Sequence, residues 1–438
     1  MPLRPRQQRE DRNVPALRRP PLTRNSLTEA HRPKRKPAQA RSVDTRKRII
    51  EGAIRVLADQ GIAGITHRAI ARAADVSLAS TTYHFTGKFD ILAAVSQAML
   101  DEDRLLLPRP DLVNPEWQSE EFHPRSQVLQ FLLEATGALR VRCTCWTEIM
   151  LDAPRHAESL GLAHRWFAAA AEIWREWSLT VGGSDGALAA RSYGDVTAGL
   201  LLFVLVLRPS EDDLRAVFNA GEDPLDRWRR HEETPAAKPA RLSGKSAVTR
   251  EAILAATMDE LVSKGQTAIG LKAMASKAGL SPSGAFYHFP TTASLIAAAQ
   301  HRLFENAKNR YRTVAPLDRG HESLEELIDR TTVIFFREAT EYARESLAIY
   351  RVWLEASRQP SLQSAIWNDI ENQHSAWRRL LTPISSSLRP IDPLLSQALF
   401  TGKLIRLVAT GSQTEDLANV RREFAHDLTL ITSGRFWL

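Results

Sequence analysis

The sequence predicts an all-α chain built from two similar helical units in tandem. Three observations carry this expectation. Residues 45–85 recur without a gap at 249–289, with 13 identities in 41 positions, among them Leu57/Leu261, Ser77/Ser281 and the closing Tyr-His-Phe. In both copies apolar residues return every three or four positions, the spacing that lines one face of a helix. Each stripe ends at a glycine, Gly61 or Gly265, the residue best suited to a left-handed position past a helix end.

Composition bounds the remaining classes. At 438 residues, 43% apolar and 25% charged, the chain is an ordinary globular one. Two cysteines, Cys143 and Cys145, exclude a disulfide-stapled scaffold. Two positions apart on a helix they face nearly opposite ways, a poor metal or disulfide pair. The best apolar run, 200–207, is far too short to cross a membrane. Residues 1–42 hold twelve Lys/Arg against three Asp/Glu, so a chain of formal charge +7 carries −2 beyond residue 42. The basic character belongs to the tail and does not by itself show that the folded part binds nucleic acid. The tail lacks the apolar segment of a secretory signal, and the expected compartment is the cytoplasm.

Along the chain, residues 1–42 are rich in Pro and Arg and read as a disordered basic tail. Its cluster at 31–36 could follow DNA into a minor groove, act non-specifically, or precede the true start of translation. A first domain, 43–90, opens with a helix over about Asp44 to Gln60, striped by Ile49, Ile50, Ile54 and Leu57. A short helix, 67–74, follows under a Thr66 cap, and the turn Asp75-Val76 leads to a third helix capped by Ser77. Residues 91–230 are expected to be helical, with a Gly-rich loop at 181–186 that fits no phosphate-binding spacing. Residues 231–246 read as a linker.

The second domain of the repeat, 247–293, carries the stripe Ile253, Leu254, Met258, Leu261 and Val262. Gly270 stands where Thr66 caps the second helix, and Ser281 caps the third, with Pro282 at its first position. Residues 294–438 are again helical, and the repeat continues weakly through both downstream regions. At an offset of 203, Leu151-Asp152-Ala153 falls on Leu354-Glu355-Ala356, Trp174 on Trp377 and Gly199 on Gly402. In each trio two short helices joined by a brief turn form a helix-turn-helix. Its second helix fits the major groove of DNA, early residues towards the base edges.

These residues resemble the DNA-binding domain of the TetR family of bacterial transcriptional regulators. The first copy supplies Ala69-Ile70-Ala71-Arg72-Ala73-Ala74, Val76-Ser77, Tyr83-His84-Phe85 and Lys88. The second supplies Ala273-Met274-Ala275, Ala278-Gly279-Leu280-Ser281 and Tyr287-His288-Phe289, but Thr292 replaces the phosphate-contacting Lys. The resemblance implies two TetR-like units in tandem, each a three-helix head followed by a helical effector and dimerisation domain. It further implies a double-stranded DNA operator, a small effector of apolar character, and pairing of the heads. Here the pairing is expected within one chain, as an intramolecular pseudo-dimer or a homodimer of it, reading an asymmetric or imperfect palindrome. Repression relieved by ligand is the expected mode. The alternative is a ligand-sensing or scaffold protein whose heads no longer bind DNA, which the Thr292 replacement and the −2 balance favour.

The candidate DNA contacts follow from both readings. In the first recognition helix they are Ser77, Leu78, Ala79, Ser80, Thr81 and Thr82, whose hydroxyls can bond bases or phosphates and whose methyls can touch thymine. Tyr83, His84 and Lys88 follow, with Thr45, Arg46, Arg48, Thr66 and Arg68 near the expected backbone path. Arg72 and Lys277, like Arg68 and Lys272, could equally be solvated helix faces. The second head offers Thr249, Arg250, Lys272, Ser281, Pro282, Ser283, Gly284, Phe286, Tyr287 and His288. Neither recognition helix holds an Arg or Gln for two-point base reading, so shape and backbone contacts are expected to carry part of the specificity. His84 and His288 have no second ligand cluster, so phosphate contact or packing is expected of them. Trp146, Trp166, Trp174, Trp353, Trp367 and Trp377 could line an effector pocket or be plain core. No triad or carboxylate pair points to an enzyme, and no cofactor or metal is implied.

Overall fold

In a computed structural model, residues 38–102, 124–180, 186–229, 244–314, 323–359 and 362–437 are described. The basic cluster at 31–36, most of the linker and most of the Gly-rich loop lie outside them. All regular structure among the described residues is helical. Residues 44–438 form one compact unit.

The first head comprises α1 (Ala38–Gln60), α2 (His67–Ala74) and α3 (Leu78–His84). α1 begins six residues before the predicted start, because Ala38, Gln39, Ala40 and Arg41 are good helix formers. After it come α4 (Lys88–Asp101), α5 (Pro124–Thr136), α6 (Arg140–Asp152), α7 (Ala157–Thr180), α8 (Gly186–Leu207), α9 (Glu211–Asn219) and α10 (Pro224–Trp228). The second head is α11 (Gly244–Ser263), α12 (Leu271–Lys277) and α13 (Pro282–His288), so α11 begins inside the predicted linker. Then follow α14 (Thr292–Val314), α15 (Leu324–Ala339), α16 (Ala343–Ala356), α17 (Gln363–Leu381), α18 (Asp392–Ala409) and α19 (Thr414–Thr432). Gly61 and Gly265, with φ of 66° and 84°, end the first helix of each head in the left-handed region.

The centre of the molecule is the crossing of α8 and α18. By length and composition α8 is apolar enough to cross a membrane, more than the 200–207 run suggested, but 83% of that stretch is buried inside the protein. Two glycines let the helix backbones touch. A Cβ on Gly199 would lie 2.0 Å from the Ala398 carbonyl oxygen, and one on Gly402 would lie 1.8 Å from that of Asp195. The offset of 203 relates Gly199 to Gly402 and Asp195 to Ala398, so these are one contact seen from either side.

A second reciprocal pair ties the heads to the opposite half. Arg358, just past α16, donates to the Ala58 and Leu57 carbonyls at the end of α1, at 2.8 and 3.3 Å. Arg155, just past α6, donates to the Val262 and Leu261 carbonyls at the end of α11, at 3.1 and 3.4 Å. A guanidinium at a helix C-terminus satisfies orphan carbonyls and meets the negative end of the dipole.

One feature of the crossing is not reciprocal. Lys403 is fully buried, 3.0 Å from Asp195 and 2.6 Å from Glu423, and Arg406 joins the same two carboxylates at 2.7 and 2.8 Å. At the offset of 203 these cations fall on Leu200 and Phe203. Burial opposes the Lys403 charge, but Asp195, Asp427 and Glu423 more than offset it and raise its pKa.

Candidate nucleic-acid interface and effector cavities

The first head is fixed by local hydrogen bonds. Thr66 Oγ1 accepts from the Ala69 amide at 3.1 Å and caps α2, and Ser77 Oγ accepts from the Ser80 amide at 3.0 Å and caps α3. Asp75, at φ 51°, makes the sharp turn between them. Arg48 donates to the Ala74 and Asp75 carbonyls and Arg55 to that of Ala73, bracing this turn. Arg48 is exposed as well as bracing the turn.

The exposed face of α3 carries Leu78, Ala79, Thr82 and Tyr83, with Ser80 and His84 half-buried beside it. Thr81 is a correction to the expected contacts. It is fully buried, and its hydroxyl is given to the Leu78 carbonyl at 2.8 Å. In so short a helix one position must anchor it to the core, and the equivalent Ala285 is buried in the same way. Tyr83 is 82% exposed, while Phe85 closes the core beneath it. Lys88 is exposed at the first position of α4, and Thr66, Arg68 and Arg72 are also exposed, with Thr45 half-buried.

The second head has the same skeleton with a different face. Arg250 lies 5.1 Å from the Phe289 ring centroid, as Arg46 lies 5.2 Å from that of Phe85. Phe286 and Tyr287 are exposed, His288 is half-buried and Thr292 opens α14. Thr249 gives its hydroxyl to the Lys245 carbonyl, and Lys272 is exposed. Pro282 opens α13 and Gly284 is half-buried. Ser281 sits at the cap position, but its side chain accepts no amide, contrary to expectation. The Ser283 hydroxyl, 3.0 Å away, competes for it, where the first head has Ala79. Lys277 is paired with Glu260 at 2.7 Å, so it is the ion-paired one of the uncertain surface cations.

Behind each head lies a cavity, and the two correspond at the offset of 203. The first, about 80 Å³, is lined by Phe131, Trp146, Trp166, Phe167 and Trp174, among others. Trp166 donates its indole N–H to Ser96 Oγ at 2.8 Å. The second, about 370 Å³, is lined by Ile334, Gln373, Trp377, Gln397, Phe400 and Thr401, the counterparts of Phe131, Ala170, Trp174, Gly194, Thr197 and Ala198. Where the first half has Trp146, Trp166 and Phe167, the second has Ile349, Asp369 and Ile370. Asp369 is buried beside Gln300, which donates to it at 3.4 Å, and burial pushes its carboxyl up to about 7. Trp353 is fully buried against Tyr350 and Phe203, and Trp367 lies beneath Arg229. Neither lines these two cavities, which corrects their assignment to a pocket. Cys143 and Cys145 are buried, and burial raises both thiols.

The sequence reading missed the cations around the larger cavity, Lys308, Arg312, Arg330 and Arg379. It also missed Arg155 and Arg358, although each stands two residues beyond the repeated Leu-Asp-Ala and Leu-Glu-Ala, and that signal could have found them.

Two family models match the chain. One, described as bacterial regulatory proteins of the tetR family, covers residues 49–95, from the first helix of the first head into α4. The other, described as a tetracyclin repressor-like C-terminal domain, covers residues 322–429, with the α15, α17 and α18 walls of the larger cavity but not that of α14. No curated protein matches the chain. A capped helix-turn-helix where one model lies, and a helical domain with an open cavity where the other lies, are what such a regulator needs. The chain belongs to the TetR family of DNA-binding regulators.

Proposed function

We propose that this chain supplies both heads of one regulator. The fusion arose by duplication, and the protein represses transcription from an asymmetric or imperfectly palindromic operator until a small ligand releases it. The observation that carries this reading is the reciprocal contact of Gly199 with Ala398 and of Gly402 with Asp195. Two halves that meet through the same contact from either side occupy the places of two subunits in a twofold dimer.

The route from ligand to DNA follows from two contacts. Tyr350 of α16 borders the larger cavity, and Arg358, just past the same helix, seals the end of α1 in the first head. A ligand that shifts α16 therefore moves the head that has Lys88. Release requires only that the ligand prefer the head spacing that does not fit the operator, and affinity falls by that preference alone.

Random-sequence DNA selection with the full chain tests the proposal. The expected product has two unlike half-sites, one chain per site. A symmetric palindrome occupied by two chains through the first head alone would overturn it. A second reading, a ligand sensor that has lost DNA binding, is favoured by Thr292 in place of the phosphate-contacting Lys. A gel shift with the DNA upstream of the chain's own gene, at two salt concentrations, separates the readings, because phosphate contacts make binding fall steeply with salt.

A further inference from the structure

The cavity walled by α14, α15, α17 and α18 differs from its first-half counterpart in charge as well as in size. Lys308 and Arg312 of α14, Arg330 of α15 and Arg379 of α17 line it, and among the described residues no Asp or Glu does. Lys308 has a carboxylate near it, Glu305 at 3.1 Å. Arg330 is half-buried, and burial depresses its guanidinium below the usual range, so a partly desolvated cation faces the space.

The first half lacks the two arginines of α15 and α17. At the offset of 203, Arg330 falls on Gln127 and Arg379 on Glu176. The smaller cavity has Asp195 in its wall beside Arg191 and Arg406, so a carboxylate of the protein shares that space. Cationic character is therefore a property of the larger cavity and not of the fold.

The rest of the wall is apolar and aromatic, with Phe304, Leu327, Ile334, Trp377 and Phe400. A neutral apolar molecule would match these residues and gain nothing from the cations. A cationic one would be repelled. A volume of about 370 Å³ lies within the usual range for small-molecule sites.

We propose that this cavity binds one amphipathic organic carboxylate per chain. Its apolar body lies against Phe304, Trp377 and Phe400, and its carboxylate meets the guanidinium groups of Arg330 and Arg379. A planar guanidinium takes a carboxylate through two parallel hydrogen bonds, stronger than those to a neutral acceptor. The inference deepens the effector reading above and rests on it, and binding is measured without DNA so that the two fail separately.

The test is calorimetry on the full chain with decanoate, 4-phenylbutyrate and 2-naphthylacetate, each beside its primary amide. At least one acid is expected to bind once per chain, tenfold or more tightly than its amide. In the double variant R330Q/R379Q the acid falls to the level of the amide, while the amide is unchanged. Thermal unfolding of that variant without ligand checks that it is folded. T401W, which fills the cavity, removes binding of both and serves as a second probe. Acids no tighter than their amides, acid binding unchanged in the double variant, two sites per chain, or no acid bound at millimolar concentration would each overturn the proposal. A chain that binds acid as expected but no operator leaves this inference standing and removes the regulator reading.

Discussion

In the first half Trp146, Trp166 and Phe167 line a cavity of about 80 Å³, and the second half, with Ile349, Asp369 and Ile370 at the corresponding positions, has one of about 370 Å³. Six lining positions of the two spaces correspond, among them Trp174 and its counterpart Trp377. Large aromatics bury much apolar surface and find edge-on partners, as Trp146 does with Trp166 at 6.5 Å and with Phe167 at 6.0 Å. The first half has packing where the second has volume. Two identical subunits cannot divide the work in this way, since every substitution appears twice, whereas unlike halves in one chain can. The heads differ in the same direction, with Lys88 and two side-chain caps in the first against Thr292 and none in the second.

The largest effect is expected from emptying the filled side. Trp166→Ala removes a buried aromatic and its hydrogen bond to Ser96, and should cost about 3–5 kcal/mol of stability, read from denaturant unfolding. A loss below about 1 kcal/mol would mean that this tryptophan is not the core its burial suggests. Next comes the reciprocal pair of arginines. Arg358→Ala strips the cation from the buried Glu148, 2.7 Å away, as well as uncapping α1, and should cost about 3 kcal/mol. Arg155→Ala, whose partner is Asp152 at 3.3 Å, should cost about half as much. Equal costs would remove the asymmetry argued for the two sides.

The next effect is a pH dependence from the second half. Burial raises the Asp369 carboxyl from its usual value to about 7. Between pH 4 and 7 the unfolded chain ionises this group and the folded one keeps the proton. The contribution of Asp369 is therefore complete at the acid end and falls as pH rises through this window, by at most about 1.4 kcal/mol per pH unit. Asp369→Asn should flatten that part of the stability curve. An unchanged slope would show that Asp369 ionises normally. The smallest effect concerns the heads. Lys88→Ala should weaken binding to every DNA sequence alike, several-fold, and lower the salt slope by about one, and Thr292→Lys should do the reverse. If Thr292→Lys changes nothing, the second head does not reach a phosphate at that position.

The heads were legible in the sequence because local chemistry builds them. Thr66, Ser77 and the glycines at 61 and 265 mark helix ends within a few residues, and α2 spans the predicted 67–74. What was misread there was the side Thr81 faces, since a hydroxyl in a row of Ser and Thr looks solvent-bound until its own helix supplies a carbonyl. The larger cavity was not legible. Lys308, Arg330 and Arg379 stand on three different helices, and in one dimension each resembles an ordinary solvated cation. Only the angle at which α14, α15 and α17 meet turns them towards a common space, and no single helix encodes that angle.

The charge cluster at the central crossing bears on what the halves would do apart. A first half meeting its own copy would enclose Asp195 with neither Lys403 nor Arg406 to neutralise it. A second half meeting its own copy would keep Lys403 and Arg406 beside its own Glu423 and Asp427, but without Asp195. Produced as two separate polypeptides, the first half should therefore choose the second over its own copy, a preference written in one buried aspartate.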